Sequence, residues 1–472
     1  MKISSQQKWL IYPAAFLALI LAFELIRVGY DSDSPAFLDG YIRRGVEYTL
    51  LNGIYILWLV KGIRSHPSSD QTAEADRYSL QDFSTLIKPG AIFLIAAWMS
   101  YPATTDPYLY LHYGMVALSS YNPYLVPAGD FTSQFSSLSP WSQTATYGPI
   151  SLAFFMIAAA TSSISIGVGI YSLKTLFLLI HLLNSYLIWN QVKTFERGNF
   201  ITIAYLINPI ILFEQVGNAR VDVLLCTALI LLVKFLIEGR YVRSVAAIWL
   251  GILSKTLPII WAPLLGVFLL KLRRWKSIAF SLFLSIMLLF ILSQTLLTEA
   301  HAWISLLNPG VAWHNAGSFH DILNRLLTLA KPFLPALIVQ KQAGLVWLFK
   351  ICTYILYCLY YAWICLRTFF RRHYTAFELI LDLGWVTLTL FLFATPWYQP
   401  WYATVLICFV ALLNFRSPFF CFVALTYSVC STVVYYLFAG GSEFIPLLFA
   451  SIMTVVPTTL LLLLKSKITQ GM

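Results

Sequence analysis

"SLFLSIMLLFILSQTLL", residues 281–297, carries no charge over its whole length, and its apolar side chains follow one another without alternation. A strand of a membrane barrel would alternate apolar and polar residues. A helix needs about 20 apolar residues to cross a bilayer. Lipid offers no partner to backbone polar groups, so helices and closed barrels are the only spanning solutions. This run therefore reads as a membrane helix.

The rest of the chain agrees. Of its 472 residues 59% are hydrophobic and 11% charged, and its mean hydropathy is +0.75. A soluble domain has about 25% charged residues. The chain is expected to be an all-α polytopic membrane protein. Further runs lie near 9–28, 46–62, 86–101, 343–366, 376–394, 400–414, 418–438 and 444–464, and between 149 and 270 they are shorter and broken by polar pairs. The first run, "WLIYPAAFLALILAFELI" (9–26), has no small-residue cleavage site and reads as an uncleaved signal anchor. Residues 63–85 form a polar linker. Four parts follow: a helix pair with linker (1–85), a membrane module (86–298), an outer loop (299–340) and C-terminal helices (341–472). No internal repeat of fixed period is visible, and the seven cysteines sit in apolar runs with no C-x-x-C pair, so no disulfide framework is implied.

The net charge of +11 does not form a face for nucleic acid. The basic residues cluster in short loops such as "KLRRWK" (271–276) and "RTFFRR" (367–372), as cytoplasmic loops do. With these, 61–88 and "KSK" (465–467) inside, loops 102–148 and 299–340 lie outside, and about fourteen crossings result. Residues 149–270 allow two paths. The preferred one lets 149–164 dip and splits 242–270 at "SKTLP". Lys193, Arg197, Arg240 and Arg243 are then inside, and "GNARVD" (217–222) and Lys255 outside.

One acid stands out in the first outer loop, "YPATTDPYLYLHYG" (101–114). Asp106 before Pro107 suits a helix N-cap, with Tyr108, Leu111, Met115 and Leu118 on one face, opposite His112 and Ser119. Such a helix would lie along the membrane surface and end at "YNPY" (121–124). Capping does not require the tyrosines or the position at a bilayer edge, so Asp106 is also a candidate general base. Lys255, inside "GILSKTLPII" (251–260), is an ionisable group amid apolar sequence and a candidate by that fact. Asn218, Arg220 and Asp222 read equally as a salt-bridged turn or as part of a site. Glu214 reads as a boundary charge, and "PWYQPW" (396–401) as an aromatic interface belt. His314, His320 and Asp321 have unremarkable spacing for a metal, and their loop reads as a substrate lid.

"TTDPYLYLHYG" (104–114), "YNPYLVP" (121–127), "TYGPI" (146–150), "LINPIILFEQVGNARVDVLL" (206–225), "GILSKTLPIIWAPLL" (251–265) and "TPWYQPWY" (395–402) follow in one order. In that order they resemble the GT-C glycosyltransferases, in particular the bacterial polyprenyl-phosphate-mannose-dependent mannosyltransferases. The mannosyltransferase of GPI-anchor synthesis is a looser likeness. The match spans roughly residues 86–402. Two features depart from the pattern: Asp106 stands alone where relatives carry D-x-D, and Arg220 stands where a histidine-bearing step is expected. "DSD" (31–33) has the acid pair but precedes the wrong span.

The resemblance implies a bundle of about 12–14 membrane helices whose first outer loop bears interfacial helices. It implies transfer of a hexose, mannose above all, from a polyprenyl-phosphate donor to an acceptor hydroxyl, with inversion. Asp106 would be the base, and Arg220 and Lys255 would hold the donor phosphate. Further substrate-site candidates are Tyr110, His112, Asn122, Tyr124, Tyr147, Asn218, Asp222, His314 and His320, with His301 as a helper. No metal or other cofactor is expected, because no acidic pair is present to hold one. The implied partners are the lipid-linked donor, a lipid or glycan acceptor and membrane lipid. The implied place is a bacterial plasma membrane, with the site on its periplasmic face. Two other classes compete. A transporter or flippase would want mid-span charges in several helices and repeated halves, and an oligosaccharide ligase or polymerase would lack this motif order.

Overall fold

A computed structural model describes residues 5–30, 36–65, 80–308, 314–434, 437 and 444–465. Residues 31–33, the centre of the expected linker (66–79) and the end of the "KSK" loop lie outside the described residues. Among those described, the chain is helical, and one isolated bridge between Ala316 and Trp397 stands in place of any sheet. Eight helices are long and apolar enough to cross a membrane, and five shorter apolar ones have 10–17 residues. The twelve to fourteen crossings read from the sequence thus resolve into full-length helices and short ones that fall below the about 20 residues a bilayer needs.

Helices α1 (Ser5–Tyr30) and α2 (Ala36–Ser65) pack together and α1 also meets α4 (Ala91–Met99), which follows α3 (Leu80–Ile87). Next come α5 (Asp106–Leu118), α6 (Pro149–Thr161), α7 (Ile166–Val192) and α8 (Gly198–Leu206). The Asn208 side chain caps the turn after α8 by accepting from the amides of Ile210 and Ile211, and a π-helical stretch, Leu212–Gly217, leads on. Then follow α9 (Asp222–Ile237), α10 (Tyr241–Ile252), α11 (Ala262–Lys271), α12 (Trp275–Thr295), α13 (Ala300–Leu306), α14 (Phe319–Ala330), α15 (Gln342–Phe370) and α16 (Ala376–Thr389). A second π-helical stretch, Leu390–Ala394, precedes α17 (Ala403–Leu412), α18 (Pro418–Val429) and α19 (Phe444–Leu463).

The path through 149–270 follows from side-chain bonds. Asn184 donates to the carbonyl of Val223 at 2.9 Å and Gln191 to that of Ile230 at 3.2 Å, so α7 and α9 run side by side in one direction. The 16 residues of α9 extend about 24 Å, and α10 returns along it. The chain breaks at Leu253–Thr256, beside the start of α6: Gly148 donates to Ser254 and Ile150 to Leu253. Arg240 therefore lies at the end reached by Lys193, with Tyr241 against Phe268 of α11, and Lys255 lies at the other. Residues 242–270 are split at "SKTLP". Helix α6, only 13 residues long, packs between α5 and α7.

One expectation fails. Helix α5 does not float amphipathically on a surface: Leu109–Gly114 and Val116 are all buried. The loop after it folds back over its polar side. His112, 1% exposed, donates from Nε2 to the Ala128 carbonyl at 3.0 Å, leaving Nδ1 to accept from Ser133 at 2.8 Å. Burial lowers the affinity of His112 for a proton, in keeping with a neutral ring that holds the loop. On the opposite side Gly114 lets α6 approach: a Cβ there would stand 2.4 Å from the Phe155 carbonyl oxygen.

Candidate active site

The ends of α4, α5, α9, α10 and α16 converge on a cavity of about 690 Å³. Its walls include Thr104–Asp106, Trp141, Gln143, Tyr147, Arg220, Lys255–Leu257, Leu306–Asn308, Tyr354, Leu390, Phe391 and most of Thr395–Tyr402. The volume falls in the range of about 300–1,000 Å³ typical of small-molecule sites. The walls draw on residues 299–340 and on the C-terminal helices as well as on residues 86–298.

Asp106 is the first residue of α5, with Thr105 rather than Asp106 at the cap and Pro107 in the first turn. Its carboxylate turns into the cavity and pairs with Arg220. Arg220 is 1% exposed, and its guanidinium lies 3.4 Å above the ring centre of Trp401. The chain reaches it through the π-helical stretch and Ala219, whose φ of +49° lies in the left-handed region unfavourable to a residue with a Cβ. Strain of this kind collects at functional sites. Glu214, read above as a boundary charge, is instead fully buried, 4.0 Å from the Arg220 Nε. Burial of the π-helical stretch among apolar neighbours explains the difference.

The second pair stands beside the first. Lys255 donates to both oxygens of Asp222 at 3.1 Å and lies 4.4 Å above the ring of Tyr402. Consecutive aromatic residues thus floor the two cations, which strengthens the attraction where water is excluded. Trp397, Trp401 and Tyr402 line the cavity, so "PWYQPW" is a wall of the site and not an interface belt. A belt and a cavity floor have the same composition; the π-helical stretch Leu390–Ala394 turns this one inward.

The other candidates divide. Tyr147 lines the cavity. Asn218 accepts from the Ala103 amide at 2.8 Å, tying the Arg220 segment to the Asp106 segment. Tyr110 stacks on Phe155, Tyr124 donates to the Tyr147 carbonyl, and Asn122 donates to that of Leu296; none of these three is a wall residue. His314 is exposed at the rim, its ring 5.6 Å from that of Trp397. His301 is exposed on α13. His320 is buried under α14, bonded to Thr353 and beside Phe349, and burial together with nearby Lys350 lowers its pKa to about 4. Asp321 is engaged by Arg325 and Ser451. Among the described residues, no three His, Cys, Asp or Glu side chains gather as a metal would need.

Lys174 was passed over in the sequence, although a lysine inside the apolar run of α7 obeys the same rule that singled out Lys255. Fully buried, its ammonium donates to the carbonyls of Ala97 and Gly217, both at 3.1 Å, and of Ser100. It thereby caps the end of α4, which leads to Asp106, and the end of the π-helical stretch, which leads to Arg220. A cation at helix carboxyl ends is favourably placed.

No curated protein matches the chain. Residues 68–271 match the model of the MptA_B family, described as alpha-(1->6)-mannopyranosyltransferase, N-terminal domain. The matched stretch holds both ion pairs, while the aromatic floor lies beyond it. The part of this chain that carries Asp106, Arg220, Asp222 and Lys255 is thus similar to a family described as alpha-(1->6)-mannopyranosyltransferases.

Proposed function

We propose that the chain transfers mannose from a polyprenyl-phosphate donor to an acceptor hydroxyl, with inversion, at the outer face of a plasma membrane. The observation that carries this reading is that Asp106, Arg220 and Lys255 line one cavity, Asp106 paired with Arg220 and Lys255 with the buried Asp222 behind it. The acceptor oxygen attacks the anomeric carbon, the bond to the phosphate oxygen breaks, and its electrons leave with the polyprenyl phosphate. The hydroxyl proton passes to Asp106 as general base. A single inverting displacement has no covalent intermediate, so one such carboxylate suffices. Arg220 and Lys255 stabilise the charge that develops on the departing phosphate, which leaves no step that needs a metal.

Ion pairing couples binding to basicity. Arg220 is already paired with Asp106. An entering phosphate therefore competes with Asp106 for Arg220. A carboxylate relieved of its cation is a stronger base, so donor binding readies Asp106 for the acceptor. An alpha product formed by inversion implies a β-linked donor.

Two further observations support the reading. A groove of about 520 Å³ between α15, α16 and α18 is lined by Thr353 and Phe393, neighbours of the main cavity's Tyr354 and Phe391, and gives the donor's chain a place. The end opposite the cavity carries Lys193, Arg197, Arg240, Lys271 and Arg371, and the positive-inside tendency turns that end to the cytoplasm.

Purified protein incubated with radiolabelled polyprenyl-phosphate mannose and total membrane acceptor should give labelled product, and donors carrying glucose or arabinose should give far less. An Asp106→Asn protein should express normally and turn over slower by a factor on the order of 10² to 10⁴, the usual worth of a general base. Equal use of all three sugars, or full turnover by the variant, would refute the reading. Cysteines at the exposed positions Thr105 and Lys331 should react with an impermeant thiol reagent applied outside intact cells; protection of both would reverse the orientation.

A further inference from the structure

The cavity is zoned by charge. Its aromatic walls fall into two sets: Trp401 and Tyr402 lie under Arg220 and Lys255, whereas Trp141 and Trp397 carry no cation over their rings among the described residues. Those two rings face each other at 6.0 Å with 54° between their planes. His314 completes the group, 6.3 Å from Trp141 and 5.6 Å from Trp397. Both tryptophans are half-buried wall residues, and Gln143 and Gln399 line the same cavity.

The frame behind these rings is fixed. Ala316 donates to the Pro396 carbonyl at 3.1 Å, Tyr398 donates to Ala316 at 2.9 Å, and Ser318 donates to Pro396 at 2.7 Å, so the backbone on both sides of Trp397 is held. Gly317, at φ +56°, makes the turn that brings these partners together. On the other wall, Ala128 donates to Gln143, Gly129 to Ser142 and Ala145 to Pro123, and the Ser305 hydroxyl closes on the Ala145 carbonyl. A rigid pair of large rings with amides beside it suits a neutral ligand that has an apolar face and a polar edge. A pyranose is such a ligand: its C–H face lies on an indole and its hydroxyls bond to amides. A phosphate is not, because no lysine or arginine lines this part of the wall.

We propose that Trp141 and Trp397 form the acceptor subsite, gripping the terminal pyranose of a glycan acceptor and presenting its hydroxyl to Asp106. This rests on the transferase reading above and adds to it the class of acceptor and the residues that select it.

The test uses the full-length protein in nanodiscs, with methyl α-D-mannopyranoside and α-1,6-linked mannobiose and mannotriose as probes. Saturation-transfer NMR should show the sugar C–H protons of methyl mannoside receiving saturation from wild type and losing it in Trp397→Ala. In transfer assays, Trp397→Ala and Trp141→Ala should each raise the KM for mannotriose about three- to tenfold, the worth of one aromatic contact, with donor affinity unchanged. Trp397→Phe should keep most of the affinity, and it serves as the folded control. Wild-type KM for mannotriose in both alanine variants would overturn the proposal. So would a loss of donor affinity in step with the KM, which would place the rings on the donor. The NMR measurement needs no donor, so it stands or falls apart from the transferase reading; that reading fails by itself if wild type binds no polyprenyl-phosphate mannose.

Discussion

The two ends of the helix bundle use the same ingredients and arrive at opposite results. At the end away from the cavity, Arg371 pairs with Glu378 at 2.7 Å while 53% exposed, Arg367 pairs with Asp382, and Lys271 donates to the carbonyl of Thr368 at 2.8 Å. Arg416 lies over Phe195 and Arg274 over Tyr241. Apart from the buried Asp382, these charged groups lie in reach of water, and exposed pairs such as Arg371–Glu378 are worth about 0–1 kcal/mol. At the cavity end the pairs are buried, set on rings and joined to a third acid. Taking charges out of water costs more than their attraction returns in most proteins, so such a cluster is poor evidence for stability and good evidence for chemistry. On the proposed reading, the basic end orients the chain and the paired end does the work.

The largest effect expected from this contrast is at Arg220. Arg220→Met leaves Asp106 without its paired cation, and loss of one partner from a buried pair costs about 3–5 kcal/mol. The variant should melt well below wild type in detergent and bind donor weakly. A melting temperature near wild type would mean that the cavity pair is as dispensable as a surface one. Next comes Lys255→Ala, whose affinity for polyprenyl-phosphate mannose should fall roughly tenfold to hundredfold, from about 1.5–3 kcal/mol per charged hydrogen bond. Lys255→Arg should recover part of it, since a planar fork and a point charge present donors differently. Donor affinity in Lys255→Ala equal to wild type would remove Lys255 from the phosphate site.

A smaller effect should follow from Lys174→Met, which touches neither substrate. Three carbonyls lose their donor and the segments bearing Asp106 and Arg220 lose their common anchor. Turnover should fall several-fold with the donor KM little changed, and the acidic limb of the pH–rate profile should move upward as Asp106 escapes Arg220. A fall in melting temperature with an unmoved acidic limb would make Lys174 a support only. Smallest of all, Arg371→Ala should leave activity unchanged and cost no more than about 1 kcal/mol; a large loss of transfer there would erase the distinction between the ends.

Much of this was legible in the sequence, for definite reasons. Long apolar runs such as 281–297 have one solution in lipid, so the all-helical fold followed. Lys255 was visible because an ionisable group amid apolar residues is costly wherever it lies, and Asp106 and Arg220 because they fall in the motifs that carry the resemblance. Their partners were not visible. Asp106 meets Arg220 only after two segments far apart in the chain are pinned by Lys174 and Asn218, and no local period records that. His112 was assigned to a wet face because helical spacing cannot anticipate a loop that folds back to bond both ring nitrogens. "PWYQPW" looked like a belt because tryptophan and tyrosine favour an interface and a cavity wall alike. What decides between them is the direction of a π-helical turn, which composition does not encode.

The claim at the centre is that donor phosphate and Asp106 compete for Arg220. Titration of polyprenyl-phosphate mannose against Asp106→Asn, without acceptor, tests it most directly. Removing the carboxylate charge frees the guanidinium, so the variant that has lost its base should bind donor at least as tightly as wild type. Weaker donor binding by Asp106→Asn would contradict the account, because Asp106 would then hold the donor itself and not yield Arg220 to it.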